Sequence, residues 1–430
     1  MQMQVFIKGN NMTHIEFFDS NDIENVCSCI ASDPLPDKVY LLCASEKETK
    51  VHAERYERLF AQKGADTKFI PRSVNRNDLM QVVSKIEDLI LENDDDFAFD
   101  LTGGDDLCLV AVGIIAERYK NRKFQLHRYN IETGKMIDCD DDKTTEYHSP
   151  VKLTVEENIC LFGGKASKTS DDGLLHDQWN FTKEFLSDIA VMWSIMKKNT
   201  PTVWNSLSNI LQYAAKNSPA DDPLAIKSTM TYLRGIASFQ NNRLDKNKKN
   251  LIQALSQKGY ITQYKCDENE NVFYIKFRDE QIKRCIMKSG QLMELKVFAV
   301  MRSAREKDSS MLFYNDVKTS VDIDWDGKLR TENGDTENEI DVMAMHGIVP
   351  VFISCKNGNV DKHEVYKLNA VAERFGEKYA KKVLITNAKA EDIHSTVIRA
   401  KDMGIRVICE FYKMNDAAME QCVKEFIHKC

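Results

Sequence analysis

The sequence predicts an α/β protein of more than one domain, and three observations lead to this prediction. The chain has 430 residues, more than the about 100 to 200 residues of a typical domain. Its composition, 43% hydrophobic and 29% charged residues, is typical of a protein that folds in water. Apolar segments of strand length alternate with amphipathic segments of helix length over residues 1–150, and again after residue 289. Such alternation favours parallel strands that are connected by helices.

Residues 1–150 are predicted to form a mostly parallel, doubly wound sheet. Its strands are expected at residues 13–18, 38–44, 67–71, 96–102 and 124–130. The helices between them are expected at residues 22–31, 52–63, 77–91 and 107–119, with a polar loop at residues 45–50.

Residues 151–288 have a different pattern and are predicted to be a helical or winged-helix-like connector. Helices are expected at residues 177–198, 202–216 and 251–260, and the last of them leads into two short strands. A helix followed by a hairpin resembles a winged-helix element, whereas a purely helical spacer between two domains is the interpretation that we favour.

Residues 289–430 form the third predicted domain, again of the α/β class. A helix is expected at residues 290–302, followed by strands at 310–317, 338–345 and 349–355. A helix at 362–375, a strand at 382–386, a helix at 393–402 and a strand at 406–411 complete it.

Two neighbouring strands of this third domain carry a pair of acids and a lysine. Glu339 and Asp341 are two residues apart, as are Ser354 and Lys356, and side chains two residues apart on a strand share a face. The short connection at residues 346–348 predicts a hairpin, which brings both pairs to one edge of the sheet. A solvated cross-strand salt bridge is the alternative interpretation of the same spacing.

Cleavage of a phosphodiester needs this combination of residue types. Asp341, together with a main-chain carbonyl near Cys355, offers hard oxygen ligands for Mg²⁺ or Mn²⁺. Such a cation lowers the pKa of a bound water and neutralises charge on the phosphate. Lys356 would position the water or stabilise the transition state.

Residues 290–410 as a whole resemble the PD-(D/E)xK restriction-endonuclease fold. They are similar to the nuclease half of the Can2 and Card1 group of type III CRISPR ancillary nucleases, in which a CARF sensor domain precedes such a fold. The leading helix of that group carries a Gly-x-Trp-Leu-Glu-like signature, which reads Gly290-Gln291-Leu292-Met293-Glu294 here, with the tryptophan replaced. The resemblance places Asp341 on the metal-binding aspartate and Lys356 on the lysine.

One position departs from the family pattern. The acid that usually lies two residues before the lysine is Ser354 here. A second carboxylate must therefore come from Glu294, Glu339 or Glu364, and Glu294 is favoured because the leading helix packs beside the hairpin in this fold. A chain that has lost its activity is the alternative.

The N-terminal domain carries a second candidate site at Thr102-Gly103-Gly104. A strand that ends in this turn before a helix leaves main-chain N–H groups open at the carboxyl edge of the sheet, where doubly wound folds bind nucleotides. The turn resembles the Thr-Gly-Gly-Thr-Lys turn of Rossmann-like CARF domains, with Asp105 and Asp106 in place of Thr-Lys. These acids would repel a phosphate and favour recognition of adenine or ribose edges. A simple tight turn is the alternative role of the glycines.

The loops after the first two strands should reach the same edge. They add Asp19, Ser20, Asn21, Ser45 and Glu46 to the predicted ligand-binding residues. The resemblance implies that the ligand is a cyclic oligoadenylate, with cyclic tetra-adenylate (cA4) the expected ring, bound between the CARF domains of a homodimer.

Charge and cysteine usage narrow the classes of protein further. The net charge of −7 argues against a protein that coats DNA tightly, whereas a nuclease needs positive charge only locally. The 12 cysteines are scattered without a Cys-x-x-Cys pair, which indicates reduced thiols. The first residues lack the pattern of a secretory signal and no apolar run approaches a membrane span, so we expect a cytoplasmic protein without membrane contact.

These features together imply a metal-dependent nuclease that a cyclic oligoadenylate activates. The substrate implied by the resemblance is single-stranded RNA or DNA, or a duplex that is nicked, with low sequence specificity. Two alternatives stay open. One is a ligand-binding transcriptional regulator with a structural C-terminal domain, and the other is a restriction-type DNA endonuclease without second-messenger control.

Overall fold

The computed structural model describes residues 12–93, 95–122, 124–139, 145–148, 151–166, 179–219, 221–236, 239, 244–307, 309–327 and 337–428. Strands and helices alternate in the first and last of the three predicted segments, so the α/β prediction is confirmed. Within these ranges, no helix combines the length and the apolar character needed to cross a bilayer.

Seven strands form the N-terminal sheet. They are β1 (Met12–Phe17), β2 (Lys38–Cys43), β3 (Lys68–Ser73), β4 (Asp96–Asp100), β5 (Phe124–Asn130), β6 (Lys135–Asp138) and β7 (Thr145–His148). Their order is β3-β2-β1-β4-β5-β6-β7, with the first five parallel and the last two added as an antiparallel hairpin. The chain order reverses at β1 and β4, so the carboxyl ends of these two strands form the topological switch point where doubly wound folds bind ligands.

Four α-helices connect the parallel strands. They are α1 (Cys27–Ala31), which follows a 3-10 turn at Asp22–Asn25, and α2 (Glu46–Gln62), α3 (Leu79–Glu92) and α4 (Asp106–Arg118). The polar loop predicted at residues 45–50 is wrong, because the Ser45 hydroxyl accepts a hydrogen bond from the Glu48 N–H at 3.4 Å and caps α2.

The segment between the two sheets is mainly helical but contains short strands. Its elements are α5 (Val155–Leu161), β8 (Lys165–Ala166), α6 (Lys183–Asn199), α7 (Pro201–Ala215), β9 (Ala225–Ser228), α8 (Met230–Leu233), α9 (Lys246–Gln257), β10 (Ile261–Asp267), β11 (Val272–Phe277) and α10 (Glu280–Met287). Residues 177 and 178 of the first predicted helix lie outside the described residues.

A helix, a hairpin and one further strand give this middle segment a winged-helix-like part. Helix α9 leads into β10 and β11, and the antiparallel sheet has the order β10-β11-β9. Trp204 of α7 and Leu251 of α9 share one apolar core with Phe298 of the following domain. The middle segment therefore packs directly against the C-terminal domain.

The C-terminal domain contains the third sheet. Its elements are α11 (Gln291–Ser303), β12 (Asp316–Asp324), β13 (Glu337–His346), β14 (Val349–Lys356), α12 (Lys362–Gly376), a 3-10 turn at Glu377–Tyr379, β15 (Lys381–Thr386), α13 (His394–Asp402), β16 (Ile405–Ile408) and α14 (Asp416–Lys424), with further 3-10 turns at Phe411–Lys413 and Glu425–Ile427. The sheet order is β16-β15-β14-β13-β12-β8. Strand β8 lies within the predicted connector 151–288 yet pairs with β12, and the domain boundaries stay predictions.

The strand predicted at residues 310–317 is wrong, since β12 spans Asp316–Asp324. The apolar run before it looks like a strand because Phe313 and Tyr314 are adjacent. Tyr314 is instead buried in the core, where its hydroxyl donates a hydrogen bond to the main-chain carbonyl of Val423 at 2.5 Å.

Candidate functional site

Asp341 lies where the main-chain pairing of β13 with β14 gives way to side-chain contacts. The paired register runs from His346 opposite Val349 to Val342 opposite Ile353. Just beyond it, Asp341 Oδ2 accepts a hydrogen bond of 2.6 Å from the main-chain N–H of Cys355 and one of 3.2 Å from the Ser354 hydroxyl. These bonds fix the carboxylate across the two strands.

Lys356 is held between acids from two different elements. Its Nζ lies 3.6 Å from Asp341 Oδ2 and 3.0 Å from Oε2 of Glu364, which is in the first turn of α12. Burial opposes the charge of Lys356, but Asp341, Glu364 and Glu294 outweigh burial and raise its pKa. The lysine therefore stays charged at neutral pH.

Glu294 approaches the same place from the first turn of α11. Its Oε2 accepts a hydrogen bond of 2.9 Å from the side-chain amide of Gln291. Burial and the nearby carboxylates of Asp341 and Glu339 raise the pKa of Glu294 to about 8, while Lys356 acts in the opposite direction. Glu294 is therefore mostly protonated at neutral pH unless further positive charge lies beside it.

A small cleft lies beside Asp341. Glu339, Asp341, Ser354 and Glu364 all line it, and Glu339 is exposed. Cys355 contributes its main-chain N–H, and its buried thiol has a pKa well above the usual value because of burial, Asp341 and Glu294. The structure places Glu339, Asp341 and Lys356 together, as the hairpin predicts, and adds Glu294 from α11, as the family resemblance implies. Their individual roles stay predictions.

Lys367 is a cleft residue that the sequence interpretation missed. It lies one helical turn after Glu364 on α12 and lines the same cleft. A lysine three residues after a candidate acid shares its helix face, and that spacing was the available signal.

A second, larger cleft lies next to Lys356 along the chain. It has a volume of about 580 Å³ and is lined mainly by polar side chains, including Asn205, Asn209, Asn357, Lys389 and Tyr412. Asn357 directly follows Lys356 and donates hydrogen bonds to Asn205 Oδ1 at 2.7 Å and to the Ser289 carbonyl at 2.9 Å. Its walls come from the middle segment and from the C-terminal domain, so no local sequence pattern predicts it.

In the N-terminal domain, the loop after β1 and the Thr102-Gly103-Gly104 turn lie side by side. A Cβ atom placed on Gly103 would lie 3.5 Å from Asp19 Cβ and 3.1 Å from the main-chain oxygen of Phe17. Asp19 Oδ1 accepts hydrogen bonds from the main-chain N–H of Asn21 at 2.9 Å and from its amide at 2.7 Å. Ser20 is exposed next to them.

Thr102 faces inward in this turn. Its N–H and its hydroxyl donate hydrogen bonds of 2.8 Å and 2.5 Å to Asp100 Oδ1. Gly104 has a φ of +94°, and a Cβ there would lie 2.8 Å from Phe17 Cβ. Both the backbone conformation and the close approach thus require glycine at position 104.

Arg76 is the residue at this edge that the sequence interpretation missed. Its Nε lies 3.0 Å from Asp105 Oδ2, and its Nη1 donates a hydrogen bond of 2.6 Å to the Phe18 carbonyl. Asp105 caps α4 through the Cys108 N–H at 3.2 Å, and Asp106 begins that helix. Arg76 thus offsets the charge of Asp105, and the expectation that Asp105 and Asp106 repel a phosphate stays a prediction. An arginine shortly after the third parallel strand was the available signal.

Ser45 and Glu46 follow β2 at the same edge, but both also have roles within the fold. Ser45 caps α2, and Glu46 Oε1 accepts a hydrogen bond of 2.8 Å from the Ser73 N–H after β3. Their part in ligand binding stays a prediction.

Comparison with known proteins identifies the C-terminal domain. Residues 279–422 match the family model described as the endonuclease domain of Card1-like proteins. A search of curated proteins found no match.

Two solved structures have a similar fold over nearly the whole chain. Protein VC1899 from Vibrio cholerae has a TM-score of 0.70 and 13% sequence identity, and the match covers 97% of this chain and 98% of that chain. Can2 from Sulfobacillus thermosulfidooxidans, solved in complex with cyclic tetra-adenylate, has a TM-score of 0.63 and 15% identity, with 97% and 99% covered. The predicted resemblance to the Can2 and Card1 group, and with it the predicted fold class, is confirmed.

Proposed function

From the Card1-like endonuclease domain that residues 279–422 form, we propose that this protein is a divalent-metal-dependent nuclease activated by a cyclic oligoadenylate. One observation supports the assignment of a catalytic site. The Asp341 carboxylate is fixed beside Lys356, and the buried Glu294 of α11 is close enough to interact with both. A transcriptional regulator with a structural C-terminal domain would not need this arrangement.

The residues present fit a divalent cation. Glu294, Asp341 and the main-chain carbonyl of Cys355 are oxygen donors of the kind that Mg²⁺ and Mn²⁺ prefer. Burial and the neighbouring carboxylates raise the pKa of Glu294 to about 8, and a cation would relieve that repulsion. When bound, the metal would supply an activated water and neutralise charge on the phosphate.

The chain's own residues hold this arrangement in place. The Cys355 N–H and the Ser354 hydroxyl fix Asp341, and the Gln291 amide orients Glu294. Lys356 offers a charged ammonium to a phosphate oxygen or to the attacking water, and Glu364 limits where that ammonium can lie.

We assign substrate binding to the 580 Å³ cleft beside Asn357. An exposed amide side chain such as that of Asn209 can bond to sugar and phosphate groups of any sequence, and Lys389 adds a positive charge. This polar lining supports single-stranded RNA or DNA, or a nicked duplex, as a substrate that is cleaved with little sequence discrimination.

The activator is proposed to bind at the carboxyl ends of β1 and β4. The Thr102-Gly103-Gly104 turn, the Asp19 loop and the pair of Arg76 with Asp105 lie at this switch point. Can2, which has the same fold, was solved with cyclic tetra-adenylate, and this supports the same ligand class here.

A homodimer would complete the ligand site. Leu107, Leu109 and Val110 of α4, the helix that begins next to the turn, are 37%, 38% and 50% exposed. An apolar group of this kind on a ligand-proximal helix supports pairing of two N-terminal domains about a two-fold axis.

A direct contact connects the proposed ligand edge, which is formed by the carboxyl ends of β1 and β4, to the C-terminal domain. The 3-10 turn at Asp22–Asn25 follows the Asp19 loop, and the main-chain N–H of Asp22 donates a hydrogen bond of 3.2 Å to Glu377 Oε2. Lys378 Nζ lies 2.7 Å from Glu24 Oε1. These C-terminal residues directly follow α12, the helix whose first turn holds Lys356 through Glu364.

Replacement of one carboxylate tests the catalytic assignment. Asp341→Asn should lower cleavage of labelled RNA or DNA by about a hundredfold or more, because a neutral amide binds a divalent cation weakly. Asp402→Asn, the same change at an exposed position of α13, should cleave like the unaltered protein. Chelation should also stop cleavage. Full activity in Asp341→Asn, or cleavage that resists a chelator, would contradict the proposal.

A further inference from the structure

A buried group of metal-ligating side chains lies in the N-terminal domain, in a different sheet from the nuclease residues. It consists of His14 and Glu16 on one face of β1 and Cys29 on α1, which are 2%, 2% and 0% exposed. Cys29 Sγ lies 3.0 Å from Glu16 Oε1 and 3.4 Å from His14 Nδ1. The ligand atoms of all three residues lie within 4.8 Å of one another.

A fourth side chain stands next to this group. His127 of β5 is 4% exposed, and its ring centroid is 5.4 Å from that of His14. Its Nε2 is buried and has no hydrogen-bond partner within the described part of the chain. Buried polar atoms nearly always have a partner, so this nitrogen is available to a ligand.

We propose that His14, Glu16 and Cys29 form a binding site for a zinc-class transition metal ion, with His127 or a water in the fourth position. A thiolate, an imidazole and a carboxylate together are a donor set that Zn²⁺ accepts in tetrahedral geometry. Mg²⁺ and Mn²⁺ prefer sites in which all ligand atoms are oxygen, like the site proposed in the nuclease domain. The two sites should therefore select different metals.

Burial raises the pKa of Glu16 and of the Cys29 thiol and lowers the pKa of His14, so burial disfavours the charged form of each group. Zn²⁺ binds the thiolate form of cysteine, so its binding would release the thiol proton of Cys29 to solvent.

The surrounding hydrogen bonds connect this group to the ligand edge. The Ser28 hydroxyl lies 3.1 Å from Glu16 Oε1 and 2.5 Å from Asp100 Oδ2. Asp100 Oδ1 in turn accepts the hydrogen bond from the Thr102 N–H. A metal here would join α1 to β1 and, through this chain of contacts, support the turn at Thr102, which gives the site a structural role.

Cobalt substitution tests the proposal on the full-length protein. A cysteine thiolate bound to Co²⁺ gives a near-ultraviolet charge-transfer band that oxygen-only sites do not give. Protein stripped with a chelator and titrated with Co²⁺ should develop this band to one equivalent per chain, and Zn²⁺ should displace it. Zn²⁺ should also raise the melting temperature of the stripped protein.

Three variants separate this site from other thiols and from the nuclease. Cys29→Ser should lose the band and weaken Co²⁺ binding by about tenfold or more. Cys43→Ser, at a buried thiol of β2 in the same sheet, and Asp341→Asn should both keep the band. A band that is absent from the unaltered protein, or one that persists in Cys29→Ser, would overturn the proposal. The titration of the unaltered protein decides the matter even if Cys29→Ser does not fold.

Discussion

Asp341 and Glu294 have different surroundings, which orient the first carboxyl group and raise the pKa of the second. A main-chain N–H of β14 donates to Asp341 at 2.6 Å, and Lys356 lies 3.6 Å away, so the protein itself fixes the orientation of this carboxylate. Glu294 faces other acids, and burial together with these acids raises its pKa to about 8. It can contribute a negative charge at neutral pH once a cation is near.

The choice between two carboxylates gives the first prediction at the residue scale. Glu294→Gln should abolish most cleavage, because the negative charge of the buried carboxylate is lost while the shape of the side chain is kept. Glu339→Gln should keep most activity, since Glu339 is exposed at the mouth of the cleft. Initial cleavage rates at saturating Mn²⁺ measure both. An active Glu294→Gln beside an inactive Glu339→Gln would reverse the assignment.

The sequence predicts which residues share one face of a strand. It does not predict which side chains from distant elements contact them. The strand period of two places Asp341 near Ser354 and Lys356, and the structure has all three in contact. The bond from Lys356 to Glu364 depends on how α12 packs on the sheet. The pair of Arg76 with Asp105 likewise needs the order of the parallel strands.

At the scale of elements, the turn between β4 and α4 is built against β1. Gly104 has a φ of +94° and lies against Phe17, and Gly103 faces the Phe17 carbonyl and Asp19. Both glycines therefore bring the main chain of the turn next to the loop where the ligand is proposed to bind.

A bulky side chain in this turn should interfere with ligand binding. Gly103→Trp should weaken binding of cyclic tetra-adenylate by about a hundredfold or more, because the new side chain is crowded against the Phe17 carbonyl and Asp19 and must displace the turn and the loop that line the proposed site. Isothermal calorimetry measures the loss. Lys120→Trp, at an exposed position just after α4, should bind normally. Normal binding by Gly103→Trp would place the ligand elsewhere.

The contact between the 3-10 turns at Asp22–Asn25 and Glu377–Tyr379 should respond to pH. Burial, then Asp22, Asp19 and Glu24, raise the pKa of Glu377 to about 7, against the opposing hydrogen bond from the Asp22 N–H. Between pH 4.5, the usual pKa of the carboxyl group, and about pH 7, the folded protein therefore binds more protons than the unfolded protein. The contribution of protonated Glu377 to the free energy of unfolding is fully present below pH 4.5 and is lost as the pH rises through about 7.

Glu377→Gln should remove this dependence, since an amide does not ionise. Between about pH 5 and pH 8, the unaltered protein should lose about 1 kcal/mol of unfolding free energy relative to Glu377→Gln, a figure reduced for solvent screening. Chemical denaturation at several pH values measures it. Glu373→Gln, at an exposed position of α12, should behave like the unaltered protein. Parallel stability curves for the unaltered protein and Glu377→Gln would exclude this role.

The boundaries of elements were predictable where the pattern was local. Strands β13 and β14 and helix α12 lie within two residues of their predicted positions. Strand β8 has two residues, too few to show the alternation of apolar and polar residues that identifies a strand. It forms because these residues pair with the edge of β12. Helix α2 begins six residues earlier than predicted, because its first turns are polar and only the Ser45 cap marks the start.

At the scale of the whole molecule, a connected set of elements joins the proposed ligand site at the carboxyl ends of β1 and β4 to the cleft beside Asp341. The Asp19 loop leads to the turn at Asp22–Asn25, which contacts Glu377–Tyr379 at the end of α12. The other end of α12 holds Lys356 through Glu364. A shift of the N-terminal domain on ligand binding could move this helix and with it the lysine, which is how a distant ligand could control cleavage.

The most direct test of this account is the cleavage rate with and without the activator. Purified protein should be mixed with Mn²⁺ or Mg²⁺ and labelled single-stranded RNA or DNA, in the presence or absence of cyclic oligoadenylates of several ring sizes. We predict that cleavage is slow without ligand and about a hundredfold or more faster with one ring, cyclic tetra-adenylate. Equal cleavage with and without every cyclic oligoadenylate would contradict the account and favour a restriction-type nuclease without second-messenger control.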